Sequence, residues 1–395
     1  MTKEQLCAEV IENLRTNILP YWADRMIDPC GGFYGRRDGN DRLDPDAPKG
    51  AILNARILWA FSAAYRVLGD PAYLETATRA KREIIDRFYD RSHGGIYWSL
   101  TADGEPLDTK KQFYAIGFAI YGLSEYARAT GDEEALDYAV RLFHDIENHS
   151  RDRANGGYFE AQTRDWQPIA DMRLSEKDAN ASKTMNTHLH IIEPYTNLLR
   201  VWPDPELKEA TKELLGIFLD KIAAPQWRGH MGLFFDDTWH RSDGIISYGH
   251  DIEASWLLLE TAQVLADEAL LARTLDATKR IADAALHGRC TDGSMVYERH
   301  ADGRFDNDKH WWVQAEQMVG LVWLHCYHGD TTALEKAALT WQYICRNLVD
   351  NENGEWYWSR TNGLINRTDD KGGFWKCPYH NTRMCLEVFE RLNEK

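Results

Sequence analysis

Histidines recur in three apolar runs of helical period: Met185-Asn186-Thr187-His188-Leu189-His190, His250-Asp251-Ile252-Glu253 and Trp375-Lys376-Cys377-Pro378-Tyr379-His380. An imidazole changes charge near neutral pH and is the commonest general acid or base. Helical spacing separates neighbours within each run. Asn186 and His190 stand four apart and share a face, whereas His188 lies roughly 160° round the helix from His190. His190 is therefore expected in a cavity and His188 is not. His250 and Glu253 stand three apart, close enough for the carboxylate to orient the imidazole and raise its basicity. Trp312 and Glu316 form another same-face pair, while Arg56 and Tyr114 stand near the starts of two further apolar runs. Such a set, with aromatic faces able to stack on sugar rings, suits proton transfer on a neutral sugar.

Each residue also has a plainer reading. A lone histidine on an apolar helix is usually a hydrogen-bonded core residue, and Arg56 could be half of a structural ion pair. Three histidines at matching positions argue against coincidence. His310, beside the start of the fifth run, is ambiguous. His93, His144, His149, His230, His240, His287, His300, His325 and His328 fall in turns, on wet-faced helices or at helix ends, and are expected to be structural.

Absent motifs narrow the chemistry. The sequence has no G-x-G-x-x-G after a strand, no G-x-x-x-x-G-K-[ST], no G-x-S-x-G and no H-E-x-x-H. The strongest generic competitor is an inverting glycoside hydrolase, which needs two carboxylates roughly 6.5–9.5 Å apart. Glu253 and Glu316 could be recruited for that, but three histidines would remain unexplained.

A repeat supplies the scaffold for these residues. A glycine-aromatic signature occurs six times, at Gly32, Gly95, Gly157, Gly232, Gly293 and Gly354, in steps of 63, 62, 75, 61 and 61 residues. Each reads as a glycine turn entering a short strand. Between signatures the pattern turns helical. Runs near 50–68, 111–129, 184–201, 250–267, 310–328 and 378–393 are aromatic-rich with few charges in their middles. Runs near 3–18, 72–89, 132–149, 205–223, 269–287 and 331–349 carry one wet face. Six buried and six amphipathic helices in alternation predict an inner ring within an outer ring, an all-α (α/α)6 barrel formed as one domain over 1–395. A helical solenoid is the alternative, but the first outer and last inner helices look able to close the ring. All six inner helices then begin at one mouth, where the polar candidates lie.

Composition sets outer limits. The 395 residues hold 46 Lys+Arg against 62 Asp+Glu, a formal charge of −16. That balance disfavours nucleic acid and anionic membrane as partners. No apolar run approaches the roughly 20 residues of a membrane span, and Met1-Thr2-Lys3-Glu4-Gln5 does not begin a signal peptide, so a cytoplasmic protein is expected, and the acidic surface and moderate length fit a monomer. Seven scattered cysteines without a C-x-x-C pair point to free thiols in a reducing compartment.

The segments Asn54–Trp59, Met185–Asn197, His250–Trp256, Trp311–Glu316 and Trp375–His380 resemble the motifs of cellobiose 2-epimerases, within the N-acylglucosamine 2-epimerase superfamily. The resemblance spans nearly the whole chain and implies an (α/α)6 barrel. It implies that His250 and His380 are general acid and base, with Glu253 the carboxylate beside the first. His190 would assist ring opening and stabilise the intermediate, and Arg56 would sit near the reacting oxygens. Tyr114, Asp178, Asn186, Trp239, Trp312 and Trp375 match sugar contacts, and Glu316 is placed with them. No metal or redox cofactor is implied. Other members of the superfamily act on N-acylglucosamine or interconvert mannose and fructose.

The reaction so implied inverts C2 of a reducing glucose. Only the open-chain aldehyde acidifies that C–H bond. A base removes the proton to give a cis-enediolate, and an acid returns one to the opposite face. Arg56 and His190 would stabilise the charge developing on the oxygens.

Overall fold

Aspartates open four of the amphipathic helices and glycines close three of the buried ones. In the computed structural model, which describes residues 1–394, twelve α-helices result: α1 (Lys3–Asn13), α2 (Ala51–Leu68), α3 (Pro71–Glu83), α4 (Phe113–Thr130), α5 (Glu133–His149), α6 (Met185–Leu199), α7 (Pro205–Ile217), α8 (Tyr248–Leu265), α9 (Glu268–Ala285), α10 (Trp311–His328), α11 (Ala333–Asn347) and α12 (Tyr379–Asn393). Asp70, Asp132, Asp204 and Asp267 cap α3, α5, α7 and α9, each accepting from a backbone N–H of the first turn. Gly69, Gly131 and Gly329 end α2, α4 and α10 in the left-handed region. After α8 the same place is filled by Ala266, held at φ 53°.

Even-numbered helices are buried almost end to end, as in the unbroken stretch Ala51–Ala64 of α2. Odd-numbered helices bury one stripe, as at Ala135, Ala139, Leu142, Phe143 and Ile146 of α5. Each even helix packs on the next, from α2 through α12 and back to α2, and each carries an odd partner outside it, with α1 against α12. This is the (α/α)6 barrel. Contact between α12 and α2 closes the ring and rules out the open solenoid. The first and last repeats are also tied by Trp22 Nε1 donating to Glu355 at 3.0 Å and by backbone pairing of Arg37 with Gly372.

The glycine signatures are shorter as strands than expected: Phe33, Ile96, Tyr158, Met295 and Trp356 each make an isolated bridge to the chain leaving the preceding helix. The sheet pairing comes later in each repeat. Two-residue strands at Lys49–Gly50, Lys111–Gln112, Lys183–Thr184, Ile246–Ser247 and Lys309–His310 run directly into α2, α4, α6, α8 and α10. A buried strut fixes several of these junctions. Lys49, Lys111 and Lys183 each donate to a turn aspartate (Asp28, Asp90, Asp152) and to a glycine carbonyl (Gly31, Gly94, Gly156), all at 2.7–3.0 Å. Lys371 pairs with the turn aspartate Asp350. With the junctions fixed, the N-termini of the inner helices share one end of the barrel.

Candidate active site

At that end lies a cavity of about 900 Å³, lined by Arg56 of α2, Tyr114 of α4, Asn186 and His190 of α6, His250 and Glu253 of α8, Trp312 of α10 and His380 of α12. Trp375, from the segment entering α12, and Asp178, from the enlarged third repeat, also line it, whereas Glu316 and Trp239 do not. That repeat contributes Met172–Ala179 and Ala181 to the rim. Gln112 Nε2 holds the segment by donating to the carbonyls of Met172 and Arg173 at 3.1 and 2.9 Å.

Arg56 is 3% exposed, yet it has no carboxylate partner among the described residues. Its Nη2 donates to Tyr114 Oη at 2.8 Å and its Nη1 to Cys377 Sγ at 3.7 Å. The guanidinium lies 4.1 Å from the Phe118 ring centre and 4.8 Å from that of Tyr379. Its Nε has no partner among the described residues. A buried cation without a counter-ion is poised for negative charge arriving in the cavity, so the ion-pair reading of Arg56 does not hold.

The histidines divide as spacing predicts. His188 is fully buried away from the cavity, its Nδ1 at 2.6 Å from the Thr184 carbonyl and its Nε2 accepting from the Tyr158 N–H at 2.9 Å. His190 faces the cavity, wedged against Tyr114 and Phe118, with Nδ1 3.0 Å from Glu193 Oε2. His380 sets Nδ1 2.7 Å from Glu316 Oε1. His250 sets Nδ1 2.7 Å from Ser247 Oγ and packs on Trp312, their ring centres 4.8 Å apart. Burial pushes His250 down to about 3, and burial with the Arg56 and Arg383 charges holds His380 well below the ordinary range. Both rings are neutral at neutral pH. His310, left ambiguous by sequence, lines the rim and stacks on Tyr297 at 4.1 Å.

Three expectations need correction. Glu253 does not orient His250. Its Oε1 accepts from Arg383 Nη2 at 2.5 Å and lies 3.9 Å from His380 Nδ1, because Arg383 offers it a full cation while the neutral His250 ring is already bonded to Ser247. Glu316 sits under the cavity wall rather than on it, between His380, Arg383 and the Trp256 indole, so it backs His380 and does not line the cavity. Trp239 is outside the lining. Its indole donates to the Asn155 carbonyl at 3.0 Å and packs on His188 and the Lys183 ammonium. A Cβ on Gly157, which has φ 78°, would come within 2.5 Å of that ring, so the glycine signature and Trp239 serve one structural joint.

Below the histidines lies a layer that sequence reasoning missed: Glu193, Tyr379 and Arg383, all buried. Arg383 donates to Glu193, Glu253 and Glu316. Burial and the neighbouring Glu316 push Glu253 up to about 7, whereas Arg383 and His190 outweigh burial and hold Glu193 below the ordinary carboxylate range. Oε2 of Glu253 has no partner among the described residues. Glu253, Glu316 and His380 lie close enough to suggest a cation site, with ligand atoms within 4.8 Å of one another, but Arg383 already donates to both carboxylates. The same closeness is too short for the two carboxyls of an inverting glycosidase.

Barrel, aromatic mouth and converging histidines define a sugar-transforming enzyme of the epimerase and isomerase kind. A family model described as N-acylglucosamine 2-epimerase (GlcNAc 2-epimerase) matches residues 32–382, and the chain belongs to that family. Among its relatives is the cellobiose 2-epimerase of Bacteroides fragilis, 59% identical over 98% of this chain and 99% of the relative. That of Ruminococcus albus is 39% identical over the same shares. The solved structure of cellobiose 2-epimerase from Bacillus thermoamylovorans superposes with a TM-score of 0.94 at 39% identity, covering 98% of this chain and 100% of the other.

Proposed function

We propose that the protein is a cellobiose 2-epimerase, reversibly inverting C2 of the reducing glucose in β-1,4-linked disaccharides such as cellobiose and lactose. The observation that carries this reading is the meeting of His250, His380 and the uncompensated Arg56 in one aromatic cavity. The 59% identity to the B. fragilis enzyme supports the substrate.

The reducing sugar opens to its aldehyde at the cavity floor. One of His250 and His380 takes the C2 proton and the other returns one to the opposite face. Neutral imidazoles are competent bases, and neutrality is the state burial imposes on both. Glu253, pushed up to about 7, is partly protonated at neutral pH and, 3.9 Å from His380 Nδ1, can exchange a proton with the layer behind that ring. Arg56 and His190 stabilise the enediolate oxygens, at a point where no carboxylate competes for the guanidinium. Tyr114, Asn186 and Asp178 bind hydroxyls, and Trp312 and Trp375 stack on the two rings. No metal or redox cofactor is assigned. The whole chain acts as one catalytic domain, as a cytoplasmic monomer without nucleic-acid or membrane partners. The ring closure between α12 and α2 and the acidic balance support that part of the reading.

Product analysis tests the substrate. Cellobiose, lactose, mannose and N-acetylglucosamine are each incubated with the protein and separated chromatographically. Glucosyl-mannose and galactosyl-mannose at the highest kcat/KM are expected. Preferential turnover of N-acetylglucosamine, or fructose from mannose as the main product, would overturn the assignment.

A further inference from the structure

Arg383 lies one helical turn after Tyr379 on α12 and is 1% exposed, too deep to touch a sugar. Its fork is divided. Nη1 donates to Glu193 and sits against the Tyr379 hydroxyl, while Nη2 donates to Glu253 at 2.5 Å and to Glu316 at 2.7 Å. Two of these carboxylates reach up to cavity histidines. Glu193 Oε2 lies 3.0 Å from His190 Nδ1, and Glu316 Oε1 lies 2.7 Å from His380 Nδ1.

We propose that Arg383 is a positioning residue for the reaction: it holds Glu193 and Glu316 as hydrogen-bond acceptors, so that His190 and His380 carry hydrogen on Nδ1 and present a bare Nε2 to the cavity. The role in catalysis rests on the epimerase reading above; the hydrogen placement does not.

The argument is one of hydrogen-bond valence. An ionised carboxylate only accepts, so an imidazole nitrogen bonded to it must donate. Glu193 and Glu316, packed with Glu253 in a dry layer, keep that state only beside a cation. Without Arg383 they would take up protons, and a protonated Glu316 can donate to His380 Nδ1. The ring hydrogen would then move to Nε2, and the face turned to the substrate could no longer accept a proton. His250 stands outside this control, because the Ser247 hydroxyl can either donate or accept. A lysine would not substitute well, since a single ammonium cannot serve Glu193 from one side and Glu253 with Glu316 from the other.

A purely structural role is the competing account, for the guanidinium also packs on the rings of Trp256 and Tyr379, 4.6 and 4.2 Å from their centres. The two accounts separate on Arg383→Met and Arg383→Lys, made in histidine-¹⁵N-labelled protein, with His190→Asn and His380→Asn used to assign signals. In the parent protein Nε2 of both histidines is expected to show the unprotonated shift. In Arg383→Met it is expected to move to the protonated value, with kcat on cellobiose lowered about 100-fold and KM changed less than about threefold, a loss on the scale of orienting groups behind reactive histidines. Unmoved ¹⁵N shifts in a folded variant, or a loss carried wholly by KM, would overturn the proposal. If Arg383→Met does not fold, Arg383→Lys decides: at least about a tenfold fall in kcat is expected, and an unchanged kcat overturns it. If cellobiose proves not to be the substrate, the ¹⁵N shifts of the free protein still answer the question of hydrogen placement.

Discussion

Glu316 Oε1 lies 2.7 Å from His380 Nδ1, and its other oxygen accepts from the Trp256 indole at 3.1 Å. The carboxylate is fixed at both ends, so His380 is presented to the cavity in one orientation. Its removal should cost the full value of a positioned acid–base group. His380→Asn is expected to lower kcat at least about 100-fold, with circular dichroism unchanged. His188→Asn, which loses only a backbone clasp, should keep kcat within about threefold and lose about 1–3 kcal/mol of stability in urea titrations. A reversed order of effects on kcat would place the chemistry at His188 of α6 and not at His380 of α12.

The tryptophans make a second contrast. Trp312 and Trp375 line the cavity, whereas Trp239 packs on His188 and Lys183. Trp312→Ala and Trp375→Ala are expected to raise KM for cellobiose by about tenfold or more, since stacking area is lost. Trp239→Ala should leave KM within about twofold and lower the melting temperature. Steady-state kinetics with thermal melts on the three variants checks this, and a KM rise in Trp239→Ala alone would contradict it.

Much of the fold is legible in the chain. A glycine signature at near-equal steps is a global feature that gives the repeat count, and the alternation of wet-faced and buried helical runs gives the two rings. On α6, the angle between His188 and His190 sorts the two correctly, because both belong to one rigid helix. The i,i+3 rule fails for His250 and Glu253, while the same spacing at His190 and Glu193 makes the bond. Spacing along one helix says which residues can meet; it does not say what a neighbouring helix offers instead. Arg383 arrives from α12 and draws Glu253 away, and only the closed ring brings it there. The lysine struts, by contrast, carry a sequence signal: a lysine two residues before the inner helix, at Lys49, Lys111 and Lys183, and an aspartate three or four residues before the first glycine of those three signatures.

Those struts give a prediction on stability. Lys183 and Asp152 are both buried and bonded at 2.7 Å, and Asp152→Asn would leave the ammonium with carbonyl partners but no counter-ion in the strand that launches α6. A loss of about 3–5 kcal/mol is expected, the usual scale for breaking a buried pair on one side. Equilibrium urea unfolding measures it, and a loss below about 1 kcal/mol would show the strut to be hydrated in solution.

The histidines fix a pH dependence. Burial pushes His188 and His310 down to about 4 and His250 to about 3, and His380 is also lowered. Unfolded histidines bind protons near about 6.5 and these folded ones do not, so the unfolded state holds more protons below that value and stability falls as pH drops through it. The histidine contribution to the melting temperature should therefore decline between about pH 7 and 5, opposed by Glu160, Glu253 and Glu298, which are raised to about 8, 7 and 7. His310→Asn should accordingly lose less stability than the parent on acidification through that range. Because the catalytic bases stay neutral through that window, the acid limb of kcat/KM should lie below about 6.5. A limb at or above that value would mean that at least one of His250 and His380 is not held in its neutral form.

The central claim is proton transfer at C2 between two histidines, and isotope placement tests it most directly. Cellobiose is incubated with the protein in D₂O and the reducing-end C1 and C2 signals are followed by NMR. Glucosyl-mannose carrying deuterium at C2, with none at C1, is the predicted result. A product labelled at C1, or an epimer formed without any solvent deuterium at C2, would contradict it.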